Sequence, residues 1–544
     1  MRTLITRKNL ILILIILAGA FFRFFKLDEY PIQLNHDEIS QLYDVKSIMQ
    51  TKKDMYGNFL PLAFPSTGDY KVGHYIYISA IPYLFFGDKE ITIRIPAAFF
   101  GTLTILAVFL FVSILTNNWS LAILSAAVVS FTPSEIFYAR KSFENVIGTD
   151  LVFFGLFFVL KYLKEGRDRA WAIIGVFILT LAMYVYTSHT ILVPLLLFLL
   201  SILFKNKISK RKQDFSLILV FWIILITPLI ILTNQNSGLR FRAASVFITQ
   251  DTNLGKVISL NGNQLKSYLD FVPTKLLNQF DPTYLFLNGL DFTSQNAFGM
   301  GPLLIWQFPF LLLGVIFLCR SRMLSKERNL LFGLSVLAMI PSAMTFEDFS
   351  PHRSVLSFTT LSIISAFGLY WFITIILKFK NSYFRLLFFM VVLVSLLVNL
   401  IYFLRMYTIT YPYEKSEKIQ YPFKEISQFA WSKYNNFDQI VFDPKFGETE
   451  PFIGVGAQYY LAYYGNYPPE KLQKQYHIGN KPRETIFDKF SIREVFWPFD
   501  KDLKNTLIIA SPWSVPENDI TDKSKIIKRF YFYNGKLAFY AIKL

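Results

Sequence analysis

The chain is poor in cysteine and in charge. It has a single cysteine, Cys319, among 544 residues. One cysteine excludes an intrachain disulfide and any cysteine-based metal cluster. Charged residues make up 17% of the chain, whereas soluble globular domains have about 25%. The low charge therefore argues against a soluble globular protein.

Hydrophobic residues, by contrast, make up 53% of the sequence, and 58 Phe and 30 Tyr bring the aromatic share to 18%. This composition is typical of a polytopic membrane protein, where aromatic side chains form interfacial belts. The formal net charge of +17 lies mostly in short loops between apolar segments. The cytoplasmic preference of Lys and Arg explains this charge better than nucleic-acid binding does. We predict a lipid bilayer as the partner surface and no nucleic acid.

The first apolar segment follows a basic stretch that contains Arg2, Arg7 and Lys8. The stretch resembles the start of a signal peptide, with small residues at Ala18-Gly19-Ala20 where cleavage would occur. Because many apolar segments follow, we instead predict a first transmembrane helix whose amino terminus is cytoplasmic.

Apolar runs of the length that crosses a bilayer, about 17–25 residues, recur along the chain and predict about eleven transmembrane helices. The runs cover residues 9–27, 94–115, 119–134, 147–163, 170–187, 190–204, 215–233, 302–319, 329–345, 354–377 and 385–405.

Another apolar run, 72–86, is short and contains Gly73, His74 and Pro82. If this run does not cross the membrane, four basic loops fall on the same side as the basic amino terminus, in agreement with the positive-inside rule. We therefore predict that it lies half-buried on the outer face, within a structured first outer loop of residues 28–93. The four basic loops are 161–169, 205–212, 320–328 and 378–385.

The tail, residues 406–544, is more charged and long enough to form a small domain. Residues 424–434 predict an amphipathic helix, and 439–442 and 507–510 predict buried strands. The Asn534-Gly535 pair between two apolar runs predicts a β-hairpin. We expect a transmembrane domain over residues 1–405 and then a small extracytoplasmic α/β domain. A structural cap and an acceptor-binding module both remain open for the tail.

Ionisable residues of the outer loops gather on one face of the predicted membrane domain. Asp37 and Glu38 follow the first membrane exit, where an ionised carboxylate is costly to desolvate. A carboxylate among several cations suits transfer from a lipid-linked phosphate. The cations hold the phosphate leaving group, and the carboxylate accepts a proton from the acceptor hydroxyl. The other candidates are Lys71, His74, Arg140, Glu144, Tyr186, His189, Arg240, Arg242, His352 and Arg353.

Structural alternatives exist for several of these residues. Glu38 also suits the amino-terminal cap of a helix. Glu144 has the i, i+4 spacing that would pair it with Arg140, and Lys71 could snorkel from an interface. Asp150 lies inside an apolar run, which suggests a buried acid paired with a neighbour.

The motifs and their order carry a family resemblance over about residues 5–405. In chain order they are Asp37-Glu38, Asp69-Tyr70-Lys71-Val72-Gly73-His74-Tyr75, Arg94-Ile95-Pro96-Ala97-Ala98, Tyr138-Ala139-Arg140 with Glu144, Ser342-Ala343-Met344-Thr345 and Pro351-His352-Arg353. They resemble those of the integral-membrane glycosyltransferases of the GT-C fold, specifically the protein O-mannosyltransferase and aminoarabinose-transferase group.

This resemblance implies a mainly α, GT-C membrane domain that transfers a sugar, with inversion, from a polyprenyl-phosphate donor on the extracytoplasmic face of the cell membrane. The implied acceptor is a hydroxyl of a glycan, lipid or protein. Asp37 would be the general base, and no cofactor would be required, although a divalent metal would be compatible. The predicted site comprises catalytic Asp37, Glu38 and Glu144, and donor-binding Lys71, His74, Arg140, His189, His352 and Arg353.

Other functions remain as alternatives. A flippase or transporter of lipid-linked sugars would use the same donor, but transporters usually carry internal repeats and broken helices at mid-membrane. The sequence has no repeat of its first half. An oligosaccharide ligase or polymerase would share much of the topology, and a non-catalytic scaffold would not need Asp37.

Overall fold

The structure is a computed structural model that describes residues 7–66, 70–290, 299–321, 325–481 and 483–544. Two residues named above, Arg2 and Asp69, lie outside these described residues, as does part of the basic loop 320–328.

Helices dominate the described part of the chain. They are α1 (Arg7–Phe24), α2 (His36–Thr51), α3 (His74–Phe86), α4 (Glu90–Thr116), α5 (Trp119–Ser130), α6 (Pro133–Ala139), α7 (Glu144–Glu165), α8 (Arg169–Val185), α9 (His189–Leu203), α10 (Lys205–Lys210), α11 (Lys212–Gln235), α12 (Ser237–Val246), α13 (Thr252–Asn261), α14 (Gln264–Asn278), α15 (Gln307–Arg320), α16 (Ser325–Ala343), α17 (Val355–Ile376), α18 (Ser382–Arg405), α19 (Tyr411–Lys415), α20 (Pro422–Ser432), α21 (Ala457–Tyr464), α22 (Pro469–Gln475) and α23 (Trp497–Asp500).

The strands lie in the first outer loop and in the tail. They are β1 (Ala63–Pro65), β2 (Tyr70–Val72), β3 (Gln439–Phe442), β4 (Lys445–Phe446), β5 (Phe452–Ile453), β6 (His477–Ile478), β7 (Thr485–Phe487), β8 (Phe490–Ile492), β9 (Thr506–Ala510), β10 (Ile526–Tyr531) and β11 (Leu537–Lys543).

Every apolar run that predicted a transmembrane segment contains a helix, so the mainly α fold is confirmed. Among the described residues, five helices are long and apolar enough to cross a membrane by themselves, and α5 with α6 makes up to six. Three apolar helices, α8, α9 and α15, are shorter. The number of crossings, about eleven, stays a prediction.

The run at 119–134 is broken rather than straight. Helix α5 ends at Ser130, and α6 begins at Pro133 with a bend of 57° between the two. Pro133 cannot donate an amide hydrogen bond to the preceding turn, so the helix is interrupted there. The whole of α6 is buried.

The ambiguous run 72–86 forms α3, which has 13 residues. At 1.5 Å per residue this helix is about 20 Å long, shorter than the hydrocarbon core of about 30 Å. Its Ile81, Leu84 and Phe85 are exposed. The length agrees with the prediction that this run does not cross.

The contacts divide the chain into two compact units. The first unit contains Met1–Leu27 and Arg94–Met406, and the second contains Asp28–Ile93 and Tyr407–Leu544. In the first unit, the inward faces of helices such as α4, α5, α7, α8, α9, α16 and α17 form one apolar core. The second unit joins the first outer loop to the tail.

In the second unit, seven strands form a mixed sheet in the order β10-β11-β9-β3-β8-β7-β6. Strand β3 is parallel to both of its neighbours, β8 and β9, while the other neighbouring pairs are antiparallel. The predicted hairpin is β10 and β11, and Gly535 adopts the positive φ of 82° that the turn requires. The predicted amphipathic helix is α20, which buries Phe423, Ile426 and Ala430. The small α/β character of the tail is thereby confirmed.

Candidate functional site

Helix α2 begins at a capping box formed by Asn35 and Glu38. The side-chain oxygen of Asn35 accepts hydrogen bonds from the backbone nitrogens of Asp37 and Glu38, both at 2.9 Å. The Glu38 carboxylate accepts in return from the backbone nitrogen of Asn35 at 3.1 Å. Glu38 is buried. This geometry favours the capping alternative over proton transfer for Glu38.

Asp37 lies on the open side of the same first turn, with 39% of its side chain exposed. The Lys71 ammonium donates a hydrogen bond to Asp37 Oδ1. His36 Nε2 lies 3.7 Å from the same carboxylate oxygen. The predicted neighbours Asp37 and Lys71 are thus in contact within the second unit.

Two local features place Lys71. It lies on β2, opposite Phe64 of β1. Gly73 follows closely, and a β-carbon there would lie 2.2 Å from Cε2 of Phe64, so only glycine fits. His74 then begins α3. In the Lys71-Val72-Gly73-His74 sequence, β2 therefore ends and α3 begins beside the ring of Phe64.

A second carboxylate of α2, Asp44, lies near the Lys71 ammonium. Asp44 is buried and accepts a hydrogen bond from the Met55 backbone nitrogen at 3.0 Å. Burial raises the pKa of Asp44 well above its usual range, and nearby Asp54 adds to this shift. Helix α2 thus carries one partly exposed carboxylate, Asp37, which contacts Lys71, and one buried carboxyl group, Asp44, on which the charge of Lys71 also acts.

Contacts with the tail hold α2 in place. Tyr43 donates a hydrogen bond to the carbonyl of Tyr467 at 3.0 Å. Lys46 lies 2.6 Å from Asp88 and donates to Asn466, also at 2.6 Å. The bonds to Tyr467 and Asn466 join residues that are more than 400 positions apart in sequence. Asp88, in contrast, lies in the first outer loop, as Lys46 does.

In the first unit, Arg140 is buried and ties two segments together. Its terminal nitrogens donate to the carbonyls of Phe22 at 2.9 Å and Lys26 at 3.0 Å. These carbonyls lie at and just beyond the carboxyl-terminal end of α1, where a cation is favourable. A phosphate role for Arg140 stays a prediction that would require these bonds to break or be shared.

Four candidates of the first unit line one small cavity of about 10 Å³, which is the space of about one water molecule. Asn145 and Tyr186 both donate to the carbonyl of His352, Tyr186 at 3.3 Å. The rings of Tyr186 and His189 are 5.3 Å apart. The lining residues include Asn145, Thr149, Tyr186, His189, His352 and Arg353.

His189 is 3% exposed, and neither ring nitrogen has a hydrogen-bond partner among the described residues. Arg353 extends to Glu347, whose carboxylate lies 3.4 Å away, and to Ser350 at 3.2 Å. Glu144, half-buried, begins α7, where a negative charge favours the helix amino terminus. The structure thus collects His189, His352 and Arg353 at one place.

Two further candidates, Arg240 and Arg242, are not among the residues that line this cavity. Arg240 and Arg242 lie on α12, and Arg240 donates to the carbonyl of Asn234 at the end of α11.

The sequence interpretation missed a buried polar group around Arg23. Arg23 is wholly buried and donates to the carbonyls of Gly19 at 3.0 Å and Ser130 at 3.1 Å. Glu135 of α6 is also buried and accepts a hydrogen bond from Thr359. A charge inside the first apolar run was the available signal, because such residues are rare in transmembrane segments.

The predicted pairing of Asp150 is wrong for the part of the chain that the structure describes. Both carboxylate oxygens of Asp150 are buried, and neither has a hydrogen-bond partner there. Within the same described ranges, no group of three His, Cys, Asp or Glu side chains is arranged to hold a metal ion.

Comparison with solved structures identifies the class of fold. The chain matches ArnT from Cupriavidus metallidurans in the apo state with a TM-score of 0.58 and 12% identity, over 97% of each chain. ArnT bound to undecaprenyl phosphate matches with a TM-score of 0.56, 12% identity and the same coverage. The Archaeoglobus fulgidus oligosaccharyltransferase AglB, in complex with an inhibitory peptide and a dolichol-phosphate, matches at 0.53 and 11%, over 85% of this chain and 64% of that one. The predicted GT-C fold is confirmed.

Part of the chain also matches a family model. Residues 74–231 match the family of dolichyl-phosphate-mannose-protein mannosyltransferases. No curated protein sequence matches the chain. The apolar helices and this fold make the chain a multi-pass membrane protein.

Proposed function

We propose that this protein is a glycosyltransferase that moves a sugar from a polyprenyl-phosphate donor to an acceptor hydroxyl on the extracytoplasmic side of the cell membrane. The observation that carries the proposal is the contact between Asp37 and Lys71 at the open start of α2. The fold shared with ArnT supports it, as does the mannosyltransferase match over residues 74–231.

Lys71 and Asp37 have different roles in the proposed reaction. Lys71 is 9% exposed and positively charged, so it suits one phosphate oxygen of the donor. A donor phosphate that binds Lys71 competes with Asp37 for the ammonium. Asp37 is then available to accept the acceptor proton.

In the proposed step, the acceptor oxygen forms a bond to the anomeric carbon while the bond between that carbon and the phosphate oxygen breaks. The acceptor proton passes to Asp37, and the electron pair leaves with the polyprenyl phosphate. Attack from the face opposite the leaving group inverts the anomeric centre. Lys71 stabilises the negative charge that develops on the phosphate.

We further propose roles for the remaining candidates. Glu38 positions Asp37 by capping α2, and His74 begins the helix that follows Lys71. In the first unit, His189, His352 and Arg353 supply donor-binding groups and Glu144 orients the substrate. The family resemblance implies these roles for His352, Arg353 and Glu144. Arg140 supports that region through the end of α1. The sugar and the class of acceptor are left open.

Two aspartates of α2 provide the test, because both lie near Lys71. Purified protein is incubated with a polyprenyl-phosphate sugar and an acceptor, and released polyprenyl phosphate is measured. We expect Asp37→Asn to lower the rate by at least about 100-fold, in line with the loss of a general base. Asp44→Asn should keep most of the activity, since its amide oxygen still accepts from Met55.

Full activity of Asp37→Asn would refute the assignment of the base. Movement of intact lipid-linked sugar between leaflets, with no release of polyprenyl phosphate, would instead identify a flippase. Equal losses in the two variants would indicate that α2 tolerates neither change structurally.

A further inference from the structure

An apolar groove lies in the first unit between α7, α8, α9 and α11, with a volume of about 280 Å³. Tyr162, near the end of α7, lines it, whereas Glu144 begins that helix. Eighteen residues at 1.5 Å each put the groove about 27 Å along α7 from Glu144. It is therefore separate from the cavity around His189. Further lining residues are Val176, Pro194, Leu197, Phe215 and Trp222.

One wall of this groove is open to its surroundings. In α11, the most apolar stretch is only 6% buried within the protein. Phe198 and Leu219, which line the groove, are themselves exposed. A hydrocarbon chain beside α11 would therefore cover apolar surface that the protein leaves uncovered.

Cations gather at the mouth of the groove. The Arg211 guanidinium lies 5.2 Å from the ring centre of Tyr162, a lining residue, and donates to the carbonyls of Gly166 and Arg167 at 3.1 Å. Lys207 donates to the carbonyl of Lys164 at 3.2 Å. These contacts place both cations at the carboxyl-terminal end of α7.

A third cation comes from α16. Lys326 lies 5.2 Å from the ring centre of Phe204, which follows α9. Its charge acts on Lys207, as do those of Lys164 and Arg211. Partial burial lowers the pKa of Lys207, and these three neighbouring cations lower it further.

Carboxylates neutralise only part of this charge. Glu327 pairs with Lys164 at 2.7 Å, and Asp214 lies 3.7 Å from Arg169. In the described part of the chain, three other cations at the mouth of the groove have no carboxylate oxygen within 4 Å of their side-chain nitrogens. These cations are Lys207, Arg211 and Lys326.

We propose that this groove binds an anionic phospholipid, with its phosphate at Lys207, Arg211 and Lys326 and one acyl chain along the apolar lining. Basic pockets between transmembrane helices on the cytoplasmic side are suited to anionic headgroups. The four basic loops place this end of the helices at the cytoplasmic leaflet by the positive-inside rule. That location favours a membrane phospholipid over the extracytoplasmic sugar donor. The proposal does not depend on the proposed sugar transfer.

Lipid binding to the full-length protein is the readout. Delipidated protein in detergent is titrated with phosphatidylglycerol, phosphatidylcholine or polyprenyl phosphate, and bound lipid is counted by native mass spectrometry. We expect phosphatidylglycerol to bind at least about tenfold more tightly than phosphatidylcholine, because several Lys and Arg side chains each favour an anionic headgroup. Polyprenyl phosphate should not displace it.

Charge-matched variants localise the site. The triple variant Lys207→Gln, Arg211→Gln, Lys326→Gln should lose the preference for phosphatidylglycerol. The triple variant Lys205→Gln, Lys210→Gln, Lys212→Gln removes the same charge from neighbouring lysines and should keep this preference.

A separate variant tests the apolar lining of the groove. Ser201 lines the groove, and Ser201→Trp should fill it and weaken phosphatidylglycerol binding at least fivefold without changing any charge. If the first triple variant fails to fold, Lys326→Gln alone replaces it. Equal binding of the two phospholipids, equal losses in the two triple variants, or displacement by polyprenyl phosphate would each overturn the proposal.

Discussion

Gly148 of α7 and His189 of α9 are in direct contact: a β-carbon at position 148 would lie 2.8 Å from Cε1 and 3.1 Å from Nδ1 of the imidazole. The ring is buried and lines the small cavity with Tyr186 and Arg353. The absence of a side chain at Gly148 therefore leaves the space that the His189 ring occupies.

Adding one methyl group at this contact should disturb the ring. We expect Gly148→Ala to lower the free energy of unfolding by about 1–3 kcal/mol, the usual cost of overpacking, and to reduce sugar transfer. Thermal unfolding in detergent measures the first effect. Gly255→Ala is the control, because a β-carbon there would meet no atom within 4 Å.

A double variant separates this contact from a general effect on α7. In Gly148→Ala with His189→Ala, the added methyl group no longer meets a ring, so the penalty of Gly148→Ala should largely disappear. A penalty of the same size in both backgrounds would contradict the contact.

Lys71 should act on the donor rather than on the fold. We expect Lys71→Gln to raise KM for the polyprenyl-phosphate sugar by roughly tenfold or more, since a hydrogen bond to a charged group is worth about 1.5–3 kcal/mol. Lys71→Arg should restore much of the affinity. Initial rates at varied donor concentration give KM and kcat separately, and exposed Lys89 provides the control as Lys89→Gln. An unchanged KM for Lys71→Gln would argue against phosphate binding.

Lys46 should be important for the packing of α2. It is 2% exposed and pairs with Asp88 at 2.6 Å. Removing one partner of a buried pair costs about 3–5 kcal/mol, and we expect the lower end because Asp88 retains some solvent contact. Hydrogen exchange of peptides from residues 36–51 should accelerate in Lys46→Ala and not in Lys53→Ala, which changes an exposed lysine. Equal exchange in both variants would refute the role of the pair.

The stability of the tail should depend on Asp443. This carboxyl accepts from the backbone nitrogens of Lys445 at 2.8 Å and Val495 at 2.9 Å, and burial raises its pKa to about 6. Between about pH 4 and pH 6 the unfolded chain loses this proton while the folded chain keeps it. The stabilising contribution is therefore largest at low pH and falls by about 3 kcal/mol as the pH approaches 7.

Asp443→Asn cannot titrate, so the difference in stability between the natural chain and this variant should shift by about 2 kcal/mol, in favour of the variant, from pH 4 to pH 7. Denaturant unfolding at the two pH values measures the shift. Exposed Asp438→Asn should show no comparable change. A constant difference for Asp443→Asn would show that this carboxyl does not titrate in that range.

The prediction of the fold from sequence succeeded where the signal was local. The stretch 355–376 has no charged residue and is long enough to cross a bilayer, which predicts a helix. The Asn534-Gly535 pair gave the β10–β11 hairpin because few residues adopt the required positive φ. In the site, the sequence predicted that Asp37 and Lys71 belong to one outer-face site, and in the structure they are in contact.

Amino-acid composition and local pattern therefore determined that this is a helical membrane protein with a small α/β tail, since these properties depend on the affinity of each segment for lipid or water. Only the tertiary structure decided which polar groups meet. In the structure, Glu38 caps the start of α2, and Arg140 donates to carbonyls at the end of α1. The first outer loop belongs to the same compact unit as the tail. The reason is physical: each of these outcomes depends on buried hydrogen bonds, several of them between distant segments, and the sequence pattern around either partner does not specify the other.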